Sequence, residues 1–303
     1  MTLSIPSFPA FPSGKVMGMP SDHSRPLALH TLISAEIGVE RRRTLEMESE
    51  YARLTDLIRS RARSHPKKRL LVAIAGAPGS GKTTIAKEVV RRLNASSSSP
   101  TVNGTSTVNG TSAALQTHTA VLVSMDGFHL PRATLDQLPN REEAYIRRGA
   151  PWTFDVERFV AFMRELRAWA DDDDEQDEQK KNNSVIYAPS FDHEAKDPVE
   201  KGLQIPSSAE ILIIEGNYLL LDEPRWRDVA GLVDYRVFVD ADLNETRERV
   251  ARRHVRAGIE RTIEDGYRRV DSNDLLNGKL VRQKLIEPDV VVRSVDDPEE
   301  KKD

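Results

Sequence analysis

Apolar residues along the chain fall into short dense runs separated by stretches of helical spacing. Residues 69–75 form an apolar run that predicts a strand. Residues 211–214 are four consecutive β-branched or leucine side chains, as in a strand buried on both faces. Further strands are predicted at 120–125, about 185–188, 234–240 and, briefly, 289–293. Between them the period changes. Met47, Tyr51, Leu54, Leu57 and Ile58 mark a helix over 44–64 that Pro66 ends. Ile85, Val89 and Leu93 mark a second. Val156, Phe159, Val160, Met163 and Leu166 mark a third behind the N-cap residue Asp155, and a fourth covers 244–254. Strands alternating with helices predict an α/β fold: a parallel sheet sandwiched by helices.

Other stretches carry no such period. Residues 1 to about 30 contain Pro6, Pro9, Pro12, Pro20 and Pro26, and the expected domain starts only at 44, so 1–43 is expected to be a disordered tail. Residues 94–119 hold TVNGTS twice in tandem and 171–184 begin with an acidic run; both read as low-complexity insertions, and 296–303 as a flexible tail. What remains, about 210 residues, is the length of one domain.

Composition then narrows the chemistry. With no cysteine among 303 residues, disulfides, zinc–thiolate sites, iron–sulfur clusters and thiol nucleophiles are excluded. No run of 18 apolar residues occurs, so no membrane span is expected. A net charge of −4 argues against a nucleic-acid binder. The first residues lack a secretory apolar core and carry only Lys15 and Arg25 as basic side chains, so a cytoplasmic location is expected ahead of a mitochondrial one. The sequons at Asn103 and Asn109 are then idle. Oligomeric state is left open, a homodimer included.

Residues 76–83, GAPGSGKT, fit G-x-x-x-x-G-K-[ST] in full, with a strand running in and an amphipathic helix running out. Glycines let successive N–H groups converge on phosphate oxygens, and the helix adds its positive end. Gly76, Ala77, Pro78, Gly79, Ser80, Gly81, Lys82, Thr83 and Thr84 are therefore candidates for binding a nucleoside triphosphate. Lys82 reaches the β- and γ-phosphates, and the Thr83 hydroxyl suits Mg2+. No guanine-reading N-K-x-D, no LSGGQ and no second motor lobe is present, which favours ATP and a small-molecule kinase or a simple ATPase.

Asp126 ends the second strand and Glu215 the fourth, where ligands of open α/β sheets collect. Asp126 is placed to take a proton from an acceptor hydroxyl or to hold Mg2+ through water. Glu215 stands at the Walker B position as a metal candidate with Thr83. The following helix carries Arg249, Arg252, Arg253 and Arg256 at spacings of three and four, candidates for a lid over ATP in which Arg253 serves catalysis.

GAPGSGKT, MDGFH (125–129), RRGAPWTFD (147–155), PSFDH (189–193) and IIEG (213–216) together resemble the phosphoribulokinase/uridine kinase family of P-loop kinases across about 68–293. The segments after DGF are most similar to type I pantothenate kinases and to fungal ATP-dependent kinases. The resemblance implies an α/β P-loop NTPase fold with an Arg-rich lid helix, Asp126 as general base, and Glu215 assisting Mg2+ or the acceptor. The lid reads Arg252-Arg253-His254-Val255-Arg256-Ala257, without the acid that uridine kinases often carry after the last arginine.

For the acceptor, Arg147 and Arg148 are candidates to meet a carboxylate or phosphate, or else form a structural pair. His129 and His193 are candidates to bond hydroxyls. Asp192 lies in the segment resembling an acceptor-lining one. The reading is an ATP:alcohol phosphotransferase acting on a nucleoside, pantothenate-like or sugar-type hydroxyl. Its rivals are an ATPase whose acceptor is water and an ATP-regulated binding module.

Overall fold

The structure, a computed structural model, describes residues 25–95, 119–172 and 185–295. Most of the two expected insertions and the C-terminal tail lie outside these residues. The chain divides into two compact units, Met1–Arg42 and Arg43–Asp303, and the site lies wholly in the second. Helix α1 spans Arg25–Ser64. It begins well before the predicted residue 44: of the tail expected over 1–43, residues 25–43 are helical, and residues 1–24 lie outside the described residues. In sequence, Leu29, Leu32, Ile33 and Ile37 already fall at helical spacing here, a short period that the proline-rich residues before it overshadow.

Five strands form a parallel sheet: β1 (Leu70–Gly76), β2 (Ala120–Ser124), β5 (Ile211–Gly216), β6 (Tyr235–Asp240) and β7 (Val290–Arg293), in the order β2-β5-β1-β6-β7. Alternate residues of β1 feed two cores. Leu71, Ala73 and Ala75 pack with Phe159, Met163 and Leu166 of α5 (Val156–Asp171). Leu70, Val72 and Ile74 pack with Ile85, Val89 and Leu93 of α2 (Lys82–Ala95), and with Met47, Tyr51, Leu54 and Ile58 of α1. Helices thus cover both faces. Leu54 and Ile58 are fully buried, each contributing about 2 kcal/mol of transfer free energy, which anchors a helix otherwise dominated by charge.

The third predicted strand does not join this sheet. β3 (Ile186–Asp192) pairs antiparallel with β4 (Asp197–Ile205) in a separate hairpin. Its partner escaped the sequence reading because Lys201 and Gly202 interrupt the alternation of Val199, Leu203 and Ile205. The short helices α3 (Arg132–Leu135), α4 (Arg141–Ile146) and α6 (Arg227–Ala230) fill connections. Beyond β6, α7 (Leu243–Arg256), α8 (Ile263–Ser272) and α9 (Asp274–Gln283) precede β7. Across α7 and α8, Gly266 lies so close to α7 that a Cβ there would stand 2.9 Å from the Ala251 carbonyl oxygen. No helix among the described residues is long and apolar enough to cross a membrane.

Candidate active site

The site is assembled at the carboxyl ends of β1, β5 and β2. Register lines up Ile74, Glu215 and Ser124 on adjacent strands, so the glycine-rich loop, the Glu215 side chain and the Asp126 turn emerge side by side. The loop is held open by two glycines in the left-handed region, Gly79 (φ 76°) and Gly81 (φ 82°). A Cβ on Gly79 would stand 2.6 Å from Val250 Cγ2 and 2.9 Å from the Thr246 carbonyl, so α7 packs directly on the loop. Helix α2 starts at Lys82, leaving its first N–H groups aimed at the loop's concavity. Such a cradle fits a polyphosphate. Lys82 is half-buried within it, and burial pushes its pKa down while the Glu215, Asp126 and Asp274 carboxylates pull it back up.

Glu215 is 3% exposed, and both of its oxygens are engaged. Thr83 Oγ1 donates to Oε2 at 3.1 Å, and Ser124 Oγ donates to Oε1 at 2.5 Å. Ser124 Oγ in turn accepts the Asp126 N–H at 3.3 Å. Ser124, which nothing in the sequence singles out, therefore links the Glu215 carboxylate to the backbone of Asp126. A hydroxyl and a carboxylate oxygen form a hard donor pair that suits Mg2+. Among the described residues no cluster of three His, Cys, Asp or Glu side chains could cage an ion, so phosphate and water oxygens would complete its shell.

Asp126 sits on the 3₁₀ turn Met125–Phe128, with its side chain 42% exposed and its charge felt by Lys82. This turn is wedged between two strands. A Cβ on Gly127 would meet the Pro189 carbonyl oxygen of β3 at 2.2 Å, and one on Gly216 would meet Met125 Cβ at 2.5 Å. His129 Nδ1 lies 2.8 Å from the Asp126 carbonyl oxygen, which can only accept, so Nδ1 carries the proton and Nε2 keeps a lone pair. Burial against Phe154 and Phe191, with ring centroids at 3.9 and 4.9 Å, pushes the imidazole pKa down. His129 is thus a neutral acceptor beside Asp126.

The four lid arginines all border one cleft of about 510 Å³ with Gly79, Gly81, Lys82, Thr83 and Thr84. They differ in what else they do. Arg249 is mostly buried, donating to the Gly79 carbonyl at 3.3 Å and to Ser294 Oγ at 3.1 Å, so it braces the loop. Arg252 pairs with Glu248 and stays half-exposed. Arg253 faces Lys82, Asp274 and His254 electrostatically. Arg256 lines the cleft mouth, as does Arg43, which the sequence reading had placed in the tail.

On the acceptor side the structure redistributes roles. Arg147 donates to Ser272 O at 3.3 Å and Asn277 Oδ1 at 3.1 Å. Arg148 donates to Lys196 O, Leu130 O and Asp197 Oδ1 at 2.7, 3.2 and 3.2 Å. Of the two readings offered for this pair, anion contact or structural brace, the geometry supplies the brace. Asp192 Oδ1 accepts the Glu194 and Ala195 N–H groups at 2.8 and 3.0 Å, so this acceptor-site candidate shapes the hairpin turn. His193 is exposed, edge-on to Phe191 at 5.4 Å. Two residues that sequence reasoning missed stand nearer the chemistry. Tyr218 is fully buried, donates to Gly149 O at 2.5 Å, and has its pKa raised by burial first and by the Asp274 and Asp126 charges after. Asp274 opens α9, and burial pushes its carboxyl up against the opposing pull of Arg253, Arg269 and Lys82. Both are recruited by tertiary packing, with no local motif to mark them.

Known proteins share this arrangement of sequence and fold. A Schizosaccharomyces pombe protein named "Putative uridine kinase" is 33% identical over 229 residues, covering 76% of this chain and 85% of that relative. The chain belongs to the phosphoribulokinase/uridine kinase family. That family's profile matches residues 171–292. The ATP-dependent kinase YFH7 of Eremothecium gossypii is 37% identical over 186 residues, 56% of each chain, so the match spans little more than half of that protein. Among solved structures, YFH7 of Saccharomyces cerevisiae superposes with a TM-score of 0.62 at 26% identity, over 81% of this chain and 98% of that one. A kinase structure from Silicibacter sp. TM1040, described as a "putative fructose transport system kinase", gives the same score and identity over 80% and 98%. The fold is that of a P-loop kinase, and family membership implies ATP as the nucleotide.

Proposed function

We propose that the protein transfers the γ-phosphate of ATP to a hydroxyl of a small metabolite. The observation that carries this reading is the row Lys82–Thr83–Glu215–Ser124–Asp126, which sets one exposed carboxylate beside a phosphate cradle and a hard oxygen pair. Bound Mg-ATP supplies the transferable phosphoryl group and part of the charge screening. The loop N–H groups and Lys82 hold its β- and γ-phosphates, with Thr83 and Glu215 on the metal. Asp126 takes the hydroxyl proton as the acceptor oxygen bonds to the γ-phosphorus. The bond from that phosphorus to the β–γ bridging oxygen breaks, and Lys82 and Arg253 balance the charge left on ADP. His129 Nε2 accepts a hydrogen bond from a second hydroxyl and so orients the acceptor.

The acceptor set is a nucleoside, a pantothenate-like acid or a sugar. Internal commitment of Arg147 and Arg148 weakens the case for an acceptor anion and favours the neutral, polyhydroxylated members. The uridine and fructose in the relatives' names are of that kind. The test is ADP release from Mg-ATP with uridine, cytidine, nicotinamide riboside, pantothenate, glycerate, ribulose 5-phosphate and simple hexoses. One acceptor that lifts the rate about tenfold or more above hydrolysis supports the reading. Steady hydrolysis with a flat panel contradicts it and points to an ATPase; binding without turnover points to a regulatory module.

A further inference from the structure

Arg43 opens the larger unit and borders the same cleft as the glycine-rich loop and the lid. Its position follows from how α1 docks. Met47, one helical turn further on and on the same face, is 2% exposed, and its Sδ accepts the Val295 N–H at 3.3 Å. The neighbouring residue, Ser294, holds the Arg249 guanidinium at 3.1 Å and lies 3.1 Å from where a Gly81 Cβ would be. The first docked turn of α1 is therefore tied, through residues 294 and 295, to the rim of the phosphate loop.

Sheet order says which end of a bound nucleotide this is. Glu215 lies at the end of β5 and Asp126 follows β2, on one side of the loop-bearing β1. Arg249 and Ser294 follow β6 and β7, on the other side. If the transferable phosphate faces Glu215 and Asp126, the nucleoside half extends toward β6 and β7, where Arg43 stands.

We propose that Arg43 is a nucleotide-binding residue that contacts the nucleoside half of ATP, laying its planar guanidinium against the base. Helix α1, which comes before the glycine-rich loop in the chain, thereby completes the nucleotide site. The inference rests on the kinase reading only for the presence and direction of ATP. Its worth is that of one partly desolvated cation–π contact, about tenfold in affinity.

The experiment is equilibrium binding of ADP, a non-hydrolysable ATP analogue and inorganic tripolyphosphate to the full chain, as wild type, Arg43→Ala, Arg43→Gln and Lys82→Ala. Thermal melting of each variant accompanies it. The expected result is that both Arg43 variants melt like wild type, bind ADP and the ATP analogue about tenfold more weakly, and bind tripolyphosphate unchanged. Affinity for ADP within about twofold of wild type overturns the inference, as does an equal loss for tripolyphosphate, which would make Arg43 a general phosphate cation. If one variant melts early, the other decides. Failure of the kinase reading looks different: wild type itself then binds neither nucleotide, or Lys82→Ala binds both as well as wild type does.

Discussion

The phosphate loop with its lid and the region around the β3–β4 hairpin are built on opposite principles. On the phosphate side, the loop's N–H groups, the Lys82 ammonium and the Arg253 guanidinium face one another across open space, and burial already depresses the Lys82 pKa. On the hairpin side, polar side chains are turned inward: Arg147 and Arg148 clamp α4 to the α8–α9 junction and to the β3–β4 turn, and Asp192 closes that turn. Hydrogen-bond donors arranged around an open cavity are completed by what binds there. Side chains that satisfy each other define a wall. The contrast implies that substitutions on the first side cost activity and those on the second cost stability.

The largest effect should follow loss of the central cation. Lys82→Met is expected to reduce phosphoryl transfer by about 10³-fold or more while the melting temperature holds or rises, because a half-buried, pKa-depressed ammonium is removed. Glu215→Gln should come next, at about 10²-fold in turnover, with a raised Mg2+ requirement in a metal titration; the amide oxygen still accepts from one of the Thr83 and Ser124 hydroxyls and its NH2 must donate to the other, but the charge is gone.

The hairpin-side tests read out as folding. Gly127→Ala puts a Cβ 2.2 Å from a backbone carbonyl and should lower stability by about 3 kcal/mol in denaturant unfolding. Arg148→Ala leaves three acceptors short of a donor and should cost about 2 kcal/mol, with ADP affinity unchanged. If Arg148→Ala instead raises an acceptor KM with stability intact, the contrast between the two sides is broken.

The smallest effect is a pH dependence. His254 is buried on α7 near Arg269, Arg253 and Lys196, with Asp274 Oδ2 4.0 Å from Nε2, and its pKa is lowered to about 4 from 6.5. The unfolded chain then binds the extra proton first. Stability from this group is complete above about pH 6.5 and declines as pH falls toward 4. His254→Gln should flatten the melting temperature over that interval, apart from the general loss from carboxylates.

How much of this was legible in the sequence follows the same division. The phosphate loop is local: its glycines, Lys82 and Thr83 are contiguous and the backbone does the binding, so reading them in order suffices. Asp126 and Glu215 were legible because strand ends in parallel sheets converge. Ser124, Tyr218, Asp274 and Arg43 enter only through tertiary packing, which leaves no spacing to read. The antiparallel hairpin was half-seen for a related reason, since β4 is largely exposed and its alternation is broken by Lys201 and Gly202. For Arg147 and Arg148 the sequence offered chemistry without partners, and the partners lie across the fold.

The central claim is that Asp126 does chemistry and not binding. The direct test is Asp126→Asn, measured both for ATP-analogue affinity and for single-turnover phosphoryl transfer to whichever acceptor the panel identifies. The account predicts affinity within about twofold of wild type and transfer slowed by about 10²-fold or more. Transfer near the wild-type rate, or a loss that lies in nucleotide affinity alone, would contradict it.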